Sequence, residues 1–354
     1  MNFLMNCYLS MFSSTHSSWI NGWWKPLPKV KKAAYAKVIH SCQANGIAFC
    51  FCMNPQLASK RPLNPSSLKD IDLLYQHYAW AQSQGVKWFS ICVDDVKWTH
   101  SPTVVAAENA KMVNMILGRL REKDPDAQMI FCPGPYNGDG TQPEVHAYLQ
   151  TLAQEMNPDV YVFWTGDSVA PSRITVQAAE SYKNAVKHRL FLWDNYPVND
   201  GQPNLNLGPV SGRAPGLVQM IDGYMSNPME TENQINRIPL ATCADYAYNP
   251  RGYDPARSIG QAILLFAKTP AQRKVLQELI EAYPGFITAG GGTGTNPVRE
   301  KFKKLVADPD PRAAKQFLAQ FEQLSKLFEK EFPDQFGAAK NAVAADLVWM
   351  KANS

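Results

Sequence analysis

The feature that most constrains this chain is the alternation of short apolar runs with longer stretches of helical periodicity. Seven runs rich in apolar or β-branched residues predict strands at residues 3–9, 47–53, 88–94, 129–132, 160–164, 190–193 and 217–221. Amphipathic stretches between them predict helices, among them residues 30–43, 68–83, 104–121 and 145–155. Such strand-helix units require parallel strands with right-handed crossovers, as in a doubly wound sheet or a closed barrel.

Polar and aromatic residues cluster where the predicted strands end, at residues 93–99, 133–139, 165–168, 194–200 and 224–227. Active-site groups gather at the carboxyl ends of the strands in a (β/α)8 barrel of the TIM type. No glycine-rich dinucleotide motif follows the first strand and no phosphate-binding loop is present, so a nucleotide site has little support. We therefore predict an α/β TIM-type barrel, although seven strands are visible where eight are needed.

The strand pattern stops near Pro250, and helical runs take over. These runs lie at residues 256–265, 271–282, 298–305, 313–331 and 335–351. They predict two domains, a catalytic barrel over residues 1–250 and a small helical bundle over residues 251–354.

Composition excludes several classes of function. The 354 residues are 45% hydrophobic with a formal net charge of +4, and the basic residues are scattered, so we expect a sizeable core and no nucleic-acid partner. No apolar stretch is long enough to span a membrane. The seven cysteines lack the paired spacing of a zinc site, so we expect buried thiols, no metal and no cofactor.

Two adjacent acids, Asp94 and Asp95, end the third predicted strand. Alternation along the strand places Ser90, Cys92 and Asp94 on the face toward the barrel axis, and the loop turns Asp95 into the same pocket. Two carboxylates held close together do not both ionise easily, so one of them can retain a proton near neutral pH. The alternative is that the two acids cap the next helix or pair with a nearby lysine.

Five segments give this pair a context: Val-Asp-Asp-Val at 93–96, Cys-Pro-Gly-Pro-Tyr-Asn at 132–137, Phe-Trp-Thr-Gly at 163–166, Trp-Asp-Asn-Tyr-Pro-Val-Asn-Asp at 193–200 and Ser-Asn-Pro at 226–228. In order and spacing they resemble glycoside hydrolase family 84, which contains the O-GlcNAcases and related β-N-acetylglucosaminidases. Each segment alone is a weak signal. Together they imply a retaining exo-β-N-acetylglucosaminidase.

The resemblance implies substrate-assisted catalysis, in which the sugar's own acetamido oxygen attacks the anomeric carbon and forms an oxazoline. Such enzymes are exceptions to the scheme in which a protein carboxylate is the nucleophile. Asp94 would polarise the acetamido N–H, and Asp95 would be the general acid and then the general base. Thr165 would line the acetamido pocket.

The resemblance also implies five sugar-contacting residues. Asn195 and Asp200 would bind sugar hydroxyls, and Asn227 would supply a further hydroxyl-binding amide. Trp193 and Tyr136 would form aromatic walls around the acetamido group. These residue types suit a pyranose, which offers hydroxyls to amides and carboxylates and a C–H face to aromatic rings.

The chain departs from the family at its start. The family's first barrel strand, with a Gly-Phe-Tyr-Gly-like motif, has no counterpart, and Ser13 stands where the family has a sugar-binding lysine. Loss of a charge-assisted hydrogen bond weakens binding, so a catalytically impaired glycan-binding barrel is the alternative function. A two-carboxylate glycosidase using Asp94 and Asp200 is a third.

The partner is expected to be a glycoprotein or glycan bearing N-acetylglucosamine, and self-association into a homo-oligomer stays open. The chain as written has no export signal. Its location is left open between secreted or periplasmic, if an upstream signal region is missing, and otherwise cytoplasmic.

Overall fold

The sheet is the organising element of the molecule. A computed structural model describes residues 7–12, 22–57, 59–199, 204–230, 234–289 and 292–354. Within them seven parallel strands hydrogen-bond in chain order. The strands are β1 (Cys7–Phe12), β2 (Ala48–Met53), β3 (Trp88–Cys92), β4 (Gln128–Cys132), β5 (Tyr161–Trp164), β6 (Arg189–Asp194) and β7 (Ile221–Ser226). This order gathers the carboxyl ends of all seven strands along one edge.

Helices connect β1 to β6, and the first four of them lie where the amphipathic periodicity predicts helices. The connecting helices are α1 (Lys29–Ala44), α2 (Leu68–Ser83), α3 (Pro102–Arg121), α4 (Pro143–Glu155) and α5 (Val176–Val186). Local chemistry fixes their first residues. The Ser67 hydroxyl accepts a hydrogen bond from the Asp70 amide at the start of α2, and α3 and α4 each begin with proline, whose fixed φ suits the first helical turn.

The two faces of the sheet carry different cores. Phe89 and Ile91 of β3 belong to a large cluster that packs the outer face against the helices. Cys92 of the same strand belongs to a separate cluster on the inner face. The face alternation predicted for this strand is therefore confirmed.

The seventh strand was placed wrongly from sequence. Residues Pro215–Gln219 form a 3-10 turn, and the strand runs over Ile221–Ser226, beyond the apolar run at 217–221. The strand contains Gly223, where the Cβ of any other residue would lie only 2.3 Å from the Phe191 ring. A segment with glycine and polar residues lacks the apolar signal of a buried strand, so its pairing with β6 was not visible locally.

The described elements that follow β7 are all helices. They are α6 (Arg237–Tyr248), α7 (Pro255–Phe266), α8 (Pro270–Ala282), α9 (Phe286–Ala289), α10 (Pro297–Val306), α11 (Pro311–Glu331) and α12 (Gly337–Ala352). Helices α6 to α8 and α10 to α12 share an apolar cluster that also includes Leu205 and Leu207, which precede the boundary predicted at residue 250. Among the described residues, none of the helices combines the length and apolar character that a membrane crossing needs.

The α/β class with a parallel sheet is thus confirmed. Closure into an eight-stranded barrel and the division into domains 1–250 and 251–354 stay predictions. The predicted buried thiols are found at Cys42, Cys50, Cys52, Cys92, Cys132 and Cys243. Part of the strand predicted at residues 3–9, as well as Ser13, lies outside the described residues.

Candidate active site

Asp94 and Asp95 lie just past the carboxyl end of β3, in different surroundings. Asp94 is half-buried, and the buried Asn54 donates a hydrogen bond from Nδ2 to its Oδ1 at 3.0 Å. Asp95 is exposed and has a φ of 58°, a left-handed conformation that aspartate tolerates better than most residues. This turn places Asp95 within hydrogen-bond distance of Tyr136, which follows the next strand. One acid is therefore held inside the rim and the other lies on it.

The environment of Asp94 changes its acidity. Burial, and secondarily the charge of Asp95, raise the pKa of Asp94 to about 6, against the opposing effect of the Asn54 hydrogen bond. Asp94 is thus mostly ionised at pH 7 and becomes neutral as the pH falls through about 6. A carboxylate in this state can accept a hydrogen bond from a ligand N–H at neutral pH.

Tyr136 joins the end of β4 to Asp95. Its hydroxyl donates a hydrogen bond to Asp95 Oδ1 at 2.7 Å, and the ring is buried. Burial and the bond to Asp95 both raise the pKa of the Tyr136 hydroxyl, so the group stays protonated and remains a donor. The residue predicted as an aromatic wall therefore also holds one of the two acids in place.

The inner face of the sheet beneath these acids is aromatic and sulfur-rich. The cluster contains Cys50, Cys52, Cys92, Ile130, Cys132, Tyr136, Phe163 and Trp193. The Trp193 ring packs edge-on against Phe163, with the centroids 5.1 Å apart, and its indole nitrogen has no hydrogen-bond partner within the described part of the chain. The predicted aromatic residues thus share one cluster.

Asn195 and Asn227 lie together at the ends of β6 and β7. Asn227 Nδ2 donates to Asn195 Oδ1 at 2.9 Å, and Asn195 Nδ2 donates to the Val169 carbonyl at 2.6 Å. The backbone N–H of Asn227 also donates a hydrogen bond to the Asp194 carbonyl, and this bond joins the two strand ends. The two predicted amides therefore occupy one position on the rim.

Thr165 and Asp200 complete the predicted set. Thr165 is buried after β5, where its amide donates to the Tyr136 carbonyl and its hydroxyl donates to the Ser168 carbonyl. Its hydroxyl therefore organises a loop beside Tyr136. Asp200 lies outside the described residues.

Sequence reasoning missed a buried ion pair below Asn195. Arg213 donates from Nε and Nη2 to the two oxygens of Asp194, at 2.8 and 2.6 Å, and the Tyr224 hydroxyl adds a third hydrogen bond at 2.8 Å. Both charged side chains are at most 1% exposed. No local pattern links Arg213 to Asp194, because its loop meets β6 only in the fold.

Sequence reasoning also missed Asn54. The available signal was a polar residue directly after β2 and before Pro55, the same strand-end position that marked the other candidates. Its Oδ1 accepts bonds from the Gln56 and Leu57 amides, which leaves Nδ2 directed at Asp94. The turn thus orients the amide.

A metal ion could be held at one place in this site. The sulfurs of Cys92 and Cys132 and a carboxylate oxygen of Asp94 all lie within 4.8 Å of one another. Both thiols are buried.

Comparison with known proteins identifies the family. A family model described as beta-N-acetylglucosaminidase matches residues 15–281, which is most of the chain. The chain belongs to that family. Its members and relatives are glycoside hydrolases, so the predicted resemblance and the enzyme class it implies are confirmed.

The relatives of this β-N-acetylglucosaminidase family member are distant. The chain is 26% identical to the Protein O-GlcNAcase of Rattus norvegicus and to that of Mus musculus, over 235 residues that cover 63% of this chain and 25% of each relative. It therefore spans about a quarter of their length. An O-GlcNAc hydrolase of Thermobaculum terrenum has the same fold, with a TM-score of 0.76, 23% identity, and coverage of 98% of this chain and 76% of that one.

Proposed function

We propose that this chain is a retaining exo-β-N-acetylglucosaminidase that releases terminal β-linked N-acetylglucosamine from a glycoprotein or glycan. The observation that carries the proposal is the unequal pair Asp94 and Asp95 at one strand end. Asp94 is enclosed and bonded to an amide, while Asp95 is exposed and bonded to Tyr136. An inner group for the sugar and an outer group for the leaving oxygen are what substrate-assisted hydrolysis requires.

The proposed chemistry has two steps. Ionised Asp94 accepts a hydrogen bond from the acetamido N–H of the sugar. This bond makes the acetamido oxygen a better nucleophile and stabilises the positive charge on the oxazoline. Asp95 donates a proton to the departing oxygen, and in the second step removes a proton from the water that opens the oxazoline. Both attacks invert the anomeric carbon, so the configuration is retained.

The remaining residues shape the pocket in this proposal. Trp193 and Tyr136 enclose the acetamido group, with Thr165 behind them in the wall. Asn195, Asn227 and Asp200 bind the sugar hydroxyls. The proposal includes a (β/α)8 barrel over residues 1–250, in which the carboxyl ends of the strands converge on the sugar.

Hydrolysis of aryl glycosides tests the proposal. We expect the full chain to cleave an aryl N-acetyl-β-glucosaminide but not the β-glucoside, which lacks the internal nucleophile. Progressive fluorination of the N-acyl group should slow the reaction, because it weakens the attacking oxygen. A rate insensitive to fluorination, or a glycosyl ester trapped on the protein, would favour a protein nucleophile instead.

One variant tests the role assigned to Asp95, and a second serves as its control. Asp95→Ala should lose about 100- to 10,000-fold in rate on a poor leaving group, the usual size of general acid catalysis, and much less on an activated aryl group. Asp126→Ala removes an exposed acid that pairs with Lys87 and should leave the rate unchanged.

Glycan binding without turnover is the competing function, favoured by Ser13 in place of the family's lysine. It predicts saturable binding of N-acetylglucosamine by the chain, with no hydrolysis of any aryl glycoside. Ser13→Lys should then restore turnover if the missing lysine is the cause.

A further inference from the structure

Three thiols lie directly beneath Asp94 on the inner face of the sheet. Cys52, Cys92 and Cys132 come from β2, β3 and β4, and each is at most 1% exposed. Cys92 and Cys132 are register partners on adjacent strands, so their side chains point to the same face side by side. Cys92 and Cys132 therefore lie at one level below the rim, whereas Cys52 is the register partner of Ser90 and its sulfur lies 3.3 Å from that of Cys92.

The spacing of these groups suits a metal ion. Ligand atoms of Cys92, Cys132 and Asp94 lie within 4.8 Å of one another, and the Cys52 and Cys92 sulfurs are 3.3 Å apart. Sulfurs bound to a tetrahedral zinc ion at about 2.3 Å are about 3.8 Å from each other, so small side-chain adjustments bring the donors to that geometry.

The donor types select the ion. Thiolates prefer soft or borderline cations, and a carboxylate completes a site for zinc or cadmium rather than magnesium or calcium. Asp94 is half-buried and lies above the thiols, so an entering cation meets its carboxylate before the sulfurs.

We propose that Cys92, Cys132 and Asp94 bind a thiophilic divalent cation, and that the bound cation inhibits the enzyme. Each coordinating thiol releases its proton to solvent. Because the Asp94 carboxylate coordinates the cation, it can no longer accept a hydrogen bond from the acetamido N–H of the sugar. The inhibitory part of this inference rests on the proposed function, whereas the binding part does not.

Cadmium titration of the full chain, kept reduced and without substrate, tests the binding. We expect one Cd²⁺ per chain and a sulfur-to-metal charge-transfer band. Cys132→Ala should weaken binding by more than the roughly 10- to 100-fold that loss of an outer-shell partner costs. Cys243→Ala is the matched control, because Cys243 is equally buried but lies in a different cluster, and it should bind as the wild type does.

X-ray absorption of the zinc-loaded wild-type chain provides a test that needs no variant to fold. At least two sulfurs at about 2.3 Å and an oxygen at about 2.0 to 2.2 Å are expected. Coordination by oxygen and nitrogen alone, or equal binding by the Cys132→Ala and Cys243→Ala variants, overturns the site.

Activity measurements separate this inference from the proposed function. Added Cd²⁺ should suppress hydrolysis over the same concentration range in which it binds, a chelator should restore the rate, and the residual activity of Cys132→Ala should resist the ion. A chain that hydrolyses the glycoside but binds no cation refutes the metal site alone. A chain that binds the cation but never hydrolyses refutes the proposed function alone.

Discussion

Two acids at strand ends of the same sheet have opposite surroundings. Asp194, the last residue of β6, is fully buried and receives two hydrogen bonds from Arg213 and one from Tyr224. Asp94, after β3, has an uncharged amide as its donor and a second acid as its neighbour, and no lysine or arginine in the described ranges pairs with it. A buried carboxylate neutralised by a cation holds two strand ends together. One left without a cation has a raised pKa and is available for a ligand.

The largest expected effect comes from breaking the Asp194 pair. Arg213→Met should reduce the free energy of unfolding by about 3 to 5 kcal/mol, because it leaves a buried carboxylate without its partner. Denaturant unfolding followed by circular dichroism measures this. Arg312→Met removes a solvent-exposed pair with Asp310 and should leave the free energy of unfolding nearly unchanged; equal losses in the two variants would mean that the buried pair has no special role.

Asp94→Asn should lower the activity but, unlike Arg213→Met, raise the stability. Activity should fall about 100- to 1000-fold, because the asparagine cannot carry the charge that stabilises the transition state. Stability at pH 7 should rise by roughly 1 to 2 kcal/mol, since an ionised carboxylate with a raised pKa opposes folding and the partial exposure of Asp94 limits the gain.

The pH dependence of that gain gives its control. The folded-state pKa of Asp94, about 6, lies above its ordinary value, so the wild-type penalty is present above pH 6 and disappears as the pH falls. The stability difference between Asp94→Asn and the wild type should therefore shrink from pH 7 to pH 4. A difference that is constant over this range contradicts the interpretation.

Tyr136→Phe should produce a moderate loss. It removes the hydroxyl hydrogen bond that positions Asp95, while keeping the ring in the inner cluster. We expect kcat to fall about tenfold or more, with little change in the unfolding midpoint. Tyr253→Phe loses a hydroxyl that bonds the Val210 carbonyl in a different cluster and should spare kcat; similar losses in both variants would deny Tyr136 a role in positioning.

The smallest effect is a shift in the acid limb of the pH-rate profile. In the wild type the rate should fall as the pH drops through about 6, when Asp94 becomes neutral. Asn54→Asp keeps the Oδ1 acceptor of its turn but replaces the donor with a carboxylate. Because the lost bond stabilised ionised Asp94, the limb should move to higher pH by about one to two units. A limb that stays in place would assign it to another group.

Local patterns accounted for much of the fold. Apolar runs and helical periodicity predicted six of the described strands and most helices, since each depends on residues near in sequence. The failure at β7 came from a strand whose glycine and polar residues are tolerated only through pairing with β6. The helix at Val176–Val186 was not predicted, although its apolar residues recur at the same helical spacing.

The candidate site divides in the same way. The amino-acid sequence by itself determined the face of β3, the position of Asp94 and Asp95 at its end, and the family, because strand alternation and ordered motifs are local or linear properties. The tertiary structure decided that Asn54 bonds Asp94, that Tyr136 bonds Asp95, that Arg213 neutralises Asp194 and that three thiols converge. These contacts join residues 19 to 41 positions apart, and a carboxylate's acidity depends on such neighbours and on burial, which exist only after the strands have come together.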